Sequence, residues 1–380
     1  MKASPALMGG YEYTPENANK RKTVSLREKH NEASLLMPRL FSEANFDVTL
    51  TDPPAPNYSW KGDLSAFEAY PDIHVYEIIG KYKDKYLELH PELKNQKLDD
   101  CVKANMQSFT MMEIIPPFLR YTFYYFGKYY RDNIPRILRS VTNEKFLQNY
   151  TNLFFLPELT DASNEKASYI FIDNEAPHEY TLLKNNTYEP GLNINEDFSK
   201  TGFYDFKYKD IEAYQVNTAS ILLIAKWLKR LKELSVYDNT KIIIVADHGA
   251  PLLLERFFNM NNAKEIALYN PLFMFKDFNS AGKVKTDNSF MTNADTLLLA
   301  TKDMPVSEIN PFTHEKYADF KKKDIVHVYP IRRFGDDDEV NPNYLRDKKT
   351  WVLQDEKNHT PSYTVHDNIF DESNWTRIVK

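Results

Sequence analysis

Lys241-Ile-Ile-Ile-Val-Ala-Asp-His-Gly-Ala250 is the stretch on which the fold turns. Its first six residues, Lys241 to Ala246, carry the continuous apolar, β-branched run Ile242 to Val245, which suits a strand covered on both faces in a parallel sheet. Just before it, Asp210 to Tyr237 repeats apolar residues such as Ile211, Val216, Ala219, Leu223 and Leu231 near helical spacing. Lys and Arg gather toward the end of that helix, where they complement its dipole. Further out, Leu35 to Ala44 reads as a helix and Phe46 to Thr51 alternates as a strand. Pro53, Pro54 and Pro56 then force a loop. Tyr169 to Asp173 and Pro271 to Phe275 are short strands, and Asn293 to Thr301 is a helix. Strand alternating with helix predicts an α/β layered fold, with ligands bound beyond the carboxyl ends of the strands.

Two stretches fit the alternation less well. Residues 61–150 are aromatic and basic and predict a helical insertion, while 331–380 begin with the acidic run Gly335 to Glu339 and predict a loop followed by short strands. Within the first, the run from Arg120 to Tyr130 suits either a lipid surface or helical core packing. No repeat interrupts the 380 residues.

Composition narrows the function classes. Apolar residues at 42% and charged residues at 27% describe a globular chain that folds around a core, not a disordered one. A net charge of -6 without a long basic tract argues against sequence-independent nucleic-acid binding. The single Cys101 excludes an intramolecular disulfide framework and a Cys-rich zinc module. No run of about 18 apolar residues predicts a membrane-spanning helix, and the first residues lack the apolar core of a signal peptide. Instead the chain opens as if inside a structured element.

Three positions invite chemistry. Asp247 and His248 follow the central strand directly, and Gly249 permits a tight turn that brings both side chains to one pocket. A carboxylate oxygen beside an imidazole nitrogen suits a zinc- or manganese-type ion. The plainer alternative is a helix-capping Asp beside a surface His. His178 follows the Tyr169–Asp173 strand, where an imidazole would bind an anionic oxygen or protonate a leaving group. Ser4 stands at the head of Ala3 to Gly10, a short helix ended by glycines. An N-cap role with Pro5 at the first helical position competes there with a nucleophile's role.

With KIIIVADHGA, YIFIDNEAPHEY, LLMPRLFSEANFDVTLTD and SFMTNADTLLLAT in this order, the chain resembles the sulfatase and alkaline-phosphatase superfamily. It is most similar to the lipoteichoic acid synthase and phosphoethanolamine transferase side. The resemblance covers about residues 1–305, and its near-diagnostic part is the Asp-His-Gly strand. It implies a three-layer sandwich with a mostly parallel central sheet, a catalytic domain over 1–330 lacking its first strand, and a small C-terminal β region over 331–380. It further implies a divalent metal ion (zinc or manganese first, calcium or magnesium as alternatives) on Asp247 and His248, and His178 at the substrate or leaving group.

Where this family carries its nucleophile, the chain has Ala3 or falls at or before Met1. The nucleophile and the first acidic ligand are therefore expected upstream, with Ser4 a weak substitute. Gly9-Gly10-Tyr11 replaces the sulfatase arginine, which disfavours sulfate. The implied reaction is metal-assisted hydrolysis or transfer of phosphate-type esters on cell-envelope lipids or glycans, of phosphoglycerol or phosphoethanolamine type. The alternatives are a sulfuric ester hydrolase and an inactive binding protein of the same fold. The implied location is the extracytoplasmic face of the envelope, with membrane attachment through upstream helices. The implied partners are phosphorylated or sulfated lipids or glycans, and no nucleic acid.

Overall fold

Asp47–Thr51 (β1) buries Val48 and Leu50 completely and lies between two parallel neighbours, Ile73–Tyr76 (β2) and Ser168–Ile172 (β3). Its alternation of buried and half-buried residues is the period-2 pattern that the sequence carries. The computed structural model describes residues 4–54, 64–93, 106, 108–124, 143–191, 208–249, 268–316, 325–328, 349–350 and 362–378. Cys101, the acidic run 335–339, Ala3 and Ala250 lie outside these. The chain divides into two units. One comprises Met1–Glu77, Ala162–Asp173 and Leu234–Lys380; the other comprises Ile78–Asp161 and Asn174–Glu233.

In the first unit, Leu26–Glu43 (α3) feeds β1. The helix starts at a capping box: the Ser25 hydroxyl accepts from the Glu28 N–H, and the Glu28 carboxylate accepts from the Ser25 N–H. The bonds the Glu28 carboxylate accepts, from the Ser25 N–H first and then from the Ser25 hydroxyl, hold it below its usual range. The helix ends with Asn45 at φ 65°, where the Phe46 N–H reaches the Phe41 carbonyl and the Asn45 N–H reaches that of Ser42. Phe46 then packs edge-on against Phe41, ring centroids 5.1 Å apart, which completes a Schellman stop and aims the chain into β1.

Ser4–Gly9 (α1) lies against α3 through Leu7 and Met8, which join Leu36, Met37 and Leu40 in one buried cluster. Gly9 is required by contact: a Cβ there would stand 2.3 Å from the Tyr13 ring and 3.0 Å from the Ala33 Cα. Gly10, at φ 75°, stops the helix as its sequence predicts. A single turn, Pro15–Ala18 (α2), follows.

Ile242–Val245 (β4) pairs with Phe273–Lys276 (β5), and Asp295–Thr301 (α9) follows. The β4–β5 pairing is antiparallel and only Ile242 is buried, so among the described residues the apolar run has no parallel partner of the kind its composition predicts. Ile243 and Val245 of β4 share one core with Tyr169 and Phe171 of β3 under α1, α3 and α9. One helical layer thus covers one face of both sheets, which is an α/β arrangement. A third sheet, antiparallel, joins Ile325–Val328 (β6), Ser362–His366 (β7) and Trp375–Ile378 (β8).

The second unit is helical: Lys83–Leu89 (α4), residues 108–114 (α5), Pro117–Tyr124 (α6), Glu144–Leu159 (α7) and Tyr208–Glu233 (α8). Its core gathers Tyr86, Phe146, Tyr150, Phe155, Val216 and Leu223. Buried Gln215 pins the chain at Leu183 by accepting from its N–H and donating to its carbonyl. Among the described residues of 61–150, helices occur from Lys83 onward, whereas residues 73–76 belong to the parallel sheet of the first unit. None of the described helices is long and apolar enough to cross a membrane.

Candidate metal centre

Beyond β4 the chain keeps its partner for one more step, the Ala246 N–H donating to the Leu272 carbonyl at 2.9 Å. It returns at Gly249, whose N–H donates to the Leu268 carbonyl. Asp247 and His248 fall between these two anchors at the strand's carboxyl end. The turn is clamped from the other side by Asn293, whose amide donates to the Ala246 carbonyl at 3.1 Å and the Asp247 carbonyl at 2.8 Å. Asn293 is itself fixed, because Asp295 two residues on is buried and accepts from the Thr292 N–H and the Tyr11 hydroxyl. Tyr11 follows the Gly9-Gly10 stop, so the tight packing of α1 helps to position the turn after β4.

His248 Nδ1 lies 2.6 Å from the Gly249 carbonyl oxygen. A carbonyl only accepts, so Nδ1 carries the hydrogen and Nε2 of the neutral ring keeps a free lone pair. Nε2 stands 3.6 Å from Asp247 Oδ1, with the two side chains 24% and 46% exposed. A tetrahedral ion bound at about 2.1 Å by each donor needs them about 3.4 Å apart, so the pair fits half of such a set. One nitrogen and one oxygen suit zinc or manganese better than calcium or magnesium, which prefer all-oxygen shells. Among the described residues no group of three or more His, Cys, Asp or Glu side chains stands together.

The other two candidates lie on other elements of the chain. Ser4 is the first residue of α1, half-buried and within the helix rather than just outside it. His178 is exposed and closes the helical turn Ala176–His178, which belongs to the second unit. Its loop is built on α7: the Asn174 amide donates to the Asn149 carbonyl at 3.0 Å, and the Glu175 N–H donates to the Asn149 side chain.

Sequence reading misses Asn293, Asp295 and Tyr11 as parts of the site. Their signal is the polar Thr292-Asn293-Ala294-Asp295 run at a helix start, where side chains commonly bind backbone. No family model, curated protein or solved structure matches the chain.

Proposed function

We propose that the chain belongs to a metal-dependent hydrolase or transferase acting on phosphate-type esters of envelope lipids or glycans, of phosphoglycerol or phosphoethanolamine type. The observation that carries this reading is the Asp247–His248 pair at a strand's carboxyl end, with the imidazole tautomer set by Gly249 and the turn clamped by Asn293. A divalent ion held there supplies Lewis-acid polarisation of a phosphoryl oxygen and activation of a nucleophile. Asp247 contributes negative charge that offsets the ion's, His248 presents Nε2, and Asn293 keeps both from swinging away.

This reading needs further donors, and two open strand edges would take a strand that carries them. The Asp173 N–H donates to Thr51 and the Asp47 N–H to Ala167, so alternate residues of β3 bond β1, and Ile170 and Ile172 turn their peptide groups to the far edge. On β4 the Ala246–Leu272 bond fixes the same alternation and leaves Ile243 and Val245 facing away from β5. Neither far edge pairs with a strand among the described residues. Both strands sit under one helical layer. A further apolar strand between them, bearing the first acidic ligand and the nucleophile, completes this reading.

Zinc or manganese raises the melting temperature of the wild-type chain and leaves Asp247→Ala unshifted, because binding to the folded state alone adds to stability. Equal shifts in both proteins remove Asp247 from the site. A rival, an inactive binding protein of the same fold, is favoured by the count of two donors. It predicts no turnover of any phosphate or sulfate ester even by a polypeptide extended upstream. Preferential turnover of sulfate esters by that polypeptide would favour the sulfuric ester hydrolase instead.

A further inference from the structure

Large apolar side chains crowd the solvent in one place, the bend formed by α5 and α6. Ile114 is 67% exposed, Phe118 80% and Tyr121 70%, and Phe109, Leu119 and two methionines beside them are exposed as well. Isolated exposed apolar residues are ordinary, whereas a contiguous group marks an interaction surface. The bend is a fixed feature: the Arg120 guanidinium donates to the carbonyls of Ile115 and Glu113 at 3.0 and 2.9 Å. These bonds span Pro116-Pro117, where the first helix must stop.

The geometry points to a lipid-bilayer surface with anionic headgroups as the occupant of this bend. At about 100° per residue, Phe118, Leu119 and Tyr121 sweep about 160° of the circumference of α6, the arc that a helix lying in a bilayer interface immerses. A flat protein partner would cover a narrower stripe. Charge makes the second argument. From Phe118 to Arg139 the sequence carries Arg120, Lys128, Arg131, Arg136 and Arg139 against Asp132 alone, in a chain whose net charge is -6. In the sequence the aromatic and cationic residues thus fall within one stretch, the composition of a segment whose Phe and Leu enter the acyl boundary while Tyr, Lys and Arg stay among headgroups. The inference does not rest on the proposed metal chemistry.

The test is flotation of the full chain with phosphatidylcholine vesicles, with and without about one third phosphatidylglycerol. The wild type floats with the anionic vesicles and less with the neutral ones. Ile114→Ser/Phe118→Ser lowers the bound fraction at least about tenfold, the equivalent of losing one buried aromatic contact. Because both side chains are exposed, the double variant keeps its melting temperature, and its melting shift with manganese matches that of the wild type, which separates this surface from the metal site. Three results overturn the inference: no flotation with either vesicle, equal flotation of the double variant, or wild-type dimerisation that the double variant abolishes.

Discussion

His30 lies inside α3 at 2% exposure, and burial pushes its imidazole down to about 4. In the unfolded chain the same ring titrates near its ordinary value of about 6.5, so above that pH both states are neutral and the folded state loses nothing. Between about 6.5 and 4 the unfolded state takes up a proton that the folded state refuses. Stability therefore falls with acidification, by about 1.4 kcal/mol per pH unit and about 3 kcal/mol in all. Glu12 works in the opposite sense: burial raises its carboxyl, so acid relieves a penalty there. Comparing wild type with His30→Gln by denaturant unfolding at pH 7 and pH 4.5 isolates the histidine, and the variant is expected to lose less stability on acidification. Equal losses would show that the imidazole is protonated in the fold. Asn293 supports a second prediction on this scale. Asn293→Ala removes the two hydrogen bonds to the Ala246 and Asp247 carbonyls, lowers stability by about 1–2 kcal/mol and shrinks the manganese-induced melting shift. An undiminished shift would mean that the turn after β4 holds its form without the clamp.

At the scale of elements, α1 is held to α3 by an approach that only glycine allows. Gly9→Ala forces a Cβ against the Tyr13 ring and the Ala33 backbone, and is expected to cost about 1–3 kcal/mol in a urea titration with the slope unchanged. A neutral substitution would show that α1 can rise off α3. The strands β1, β3 and β4 and the helices α8 and α9 were legible because each carries its period or its β-branched run in a few residues. The start of α3 was legible too, in Ser25-x-x-Glu28, but an apolar search beginning at Leu35 passes over that polar first turn. β2 was hidden inside an aromatic stretch, since Ile73–Tyr76 is four residues long and its parallel pairing with β1 leaves no local mark. The pairing of β4 was misread for a related reason. An apolar run records that a strand is covered, not which direction its neighbour runs. Of the candidate site, Asp247 and His248 could be named from the sequence because they directly follow a strand. The clamp could not, because Asn293 meets them only through a fold that joins residues 46 and 47 positions apart.

Across the first unit as a whole, the two sheets under α1, α3 and α9 leave apolar strands at their margins. Ile170, in the middle of β3, is 59% exposed. Margins of that kind invite pairing with other chains, and proteins ordinarily cover them or charge them. Here they carry isoleucine and valine. The amides involved are those of Ile170, Ile172, Ile243 and Val245, which point away from β1 and β5, whereas those of Val48 to Thr51 lie between two strands. Hydrogen exchange on the chain should separate the groups, with the four marginal amides exchanging at least about a hundredfold faster, because opening them costs only local fluctuation. In a polypeptide extended before Met1 they should slow to the rates of β1, if the extension enters as a strand. Should they already be as protected as β1 in the present chain, the margins are closed and the proposed metal centre has no route to its first acidic ligand through the sheet. The reaction would then have to be built from Asp247, His248 and groups already within the chain, and the non-catalytic reading would gain.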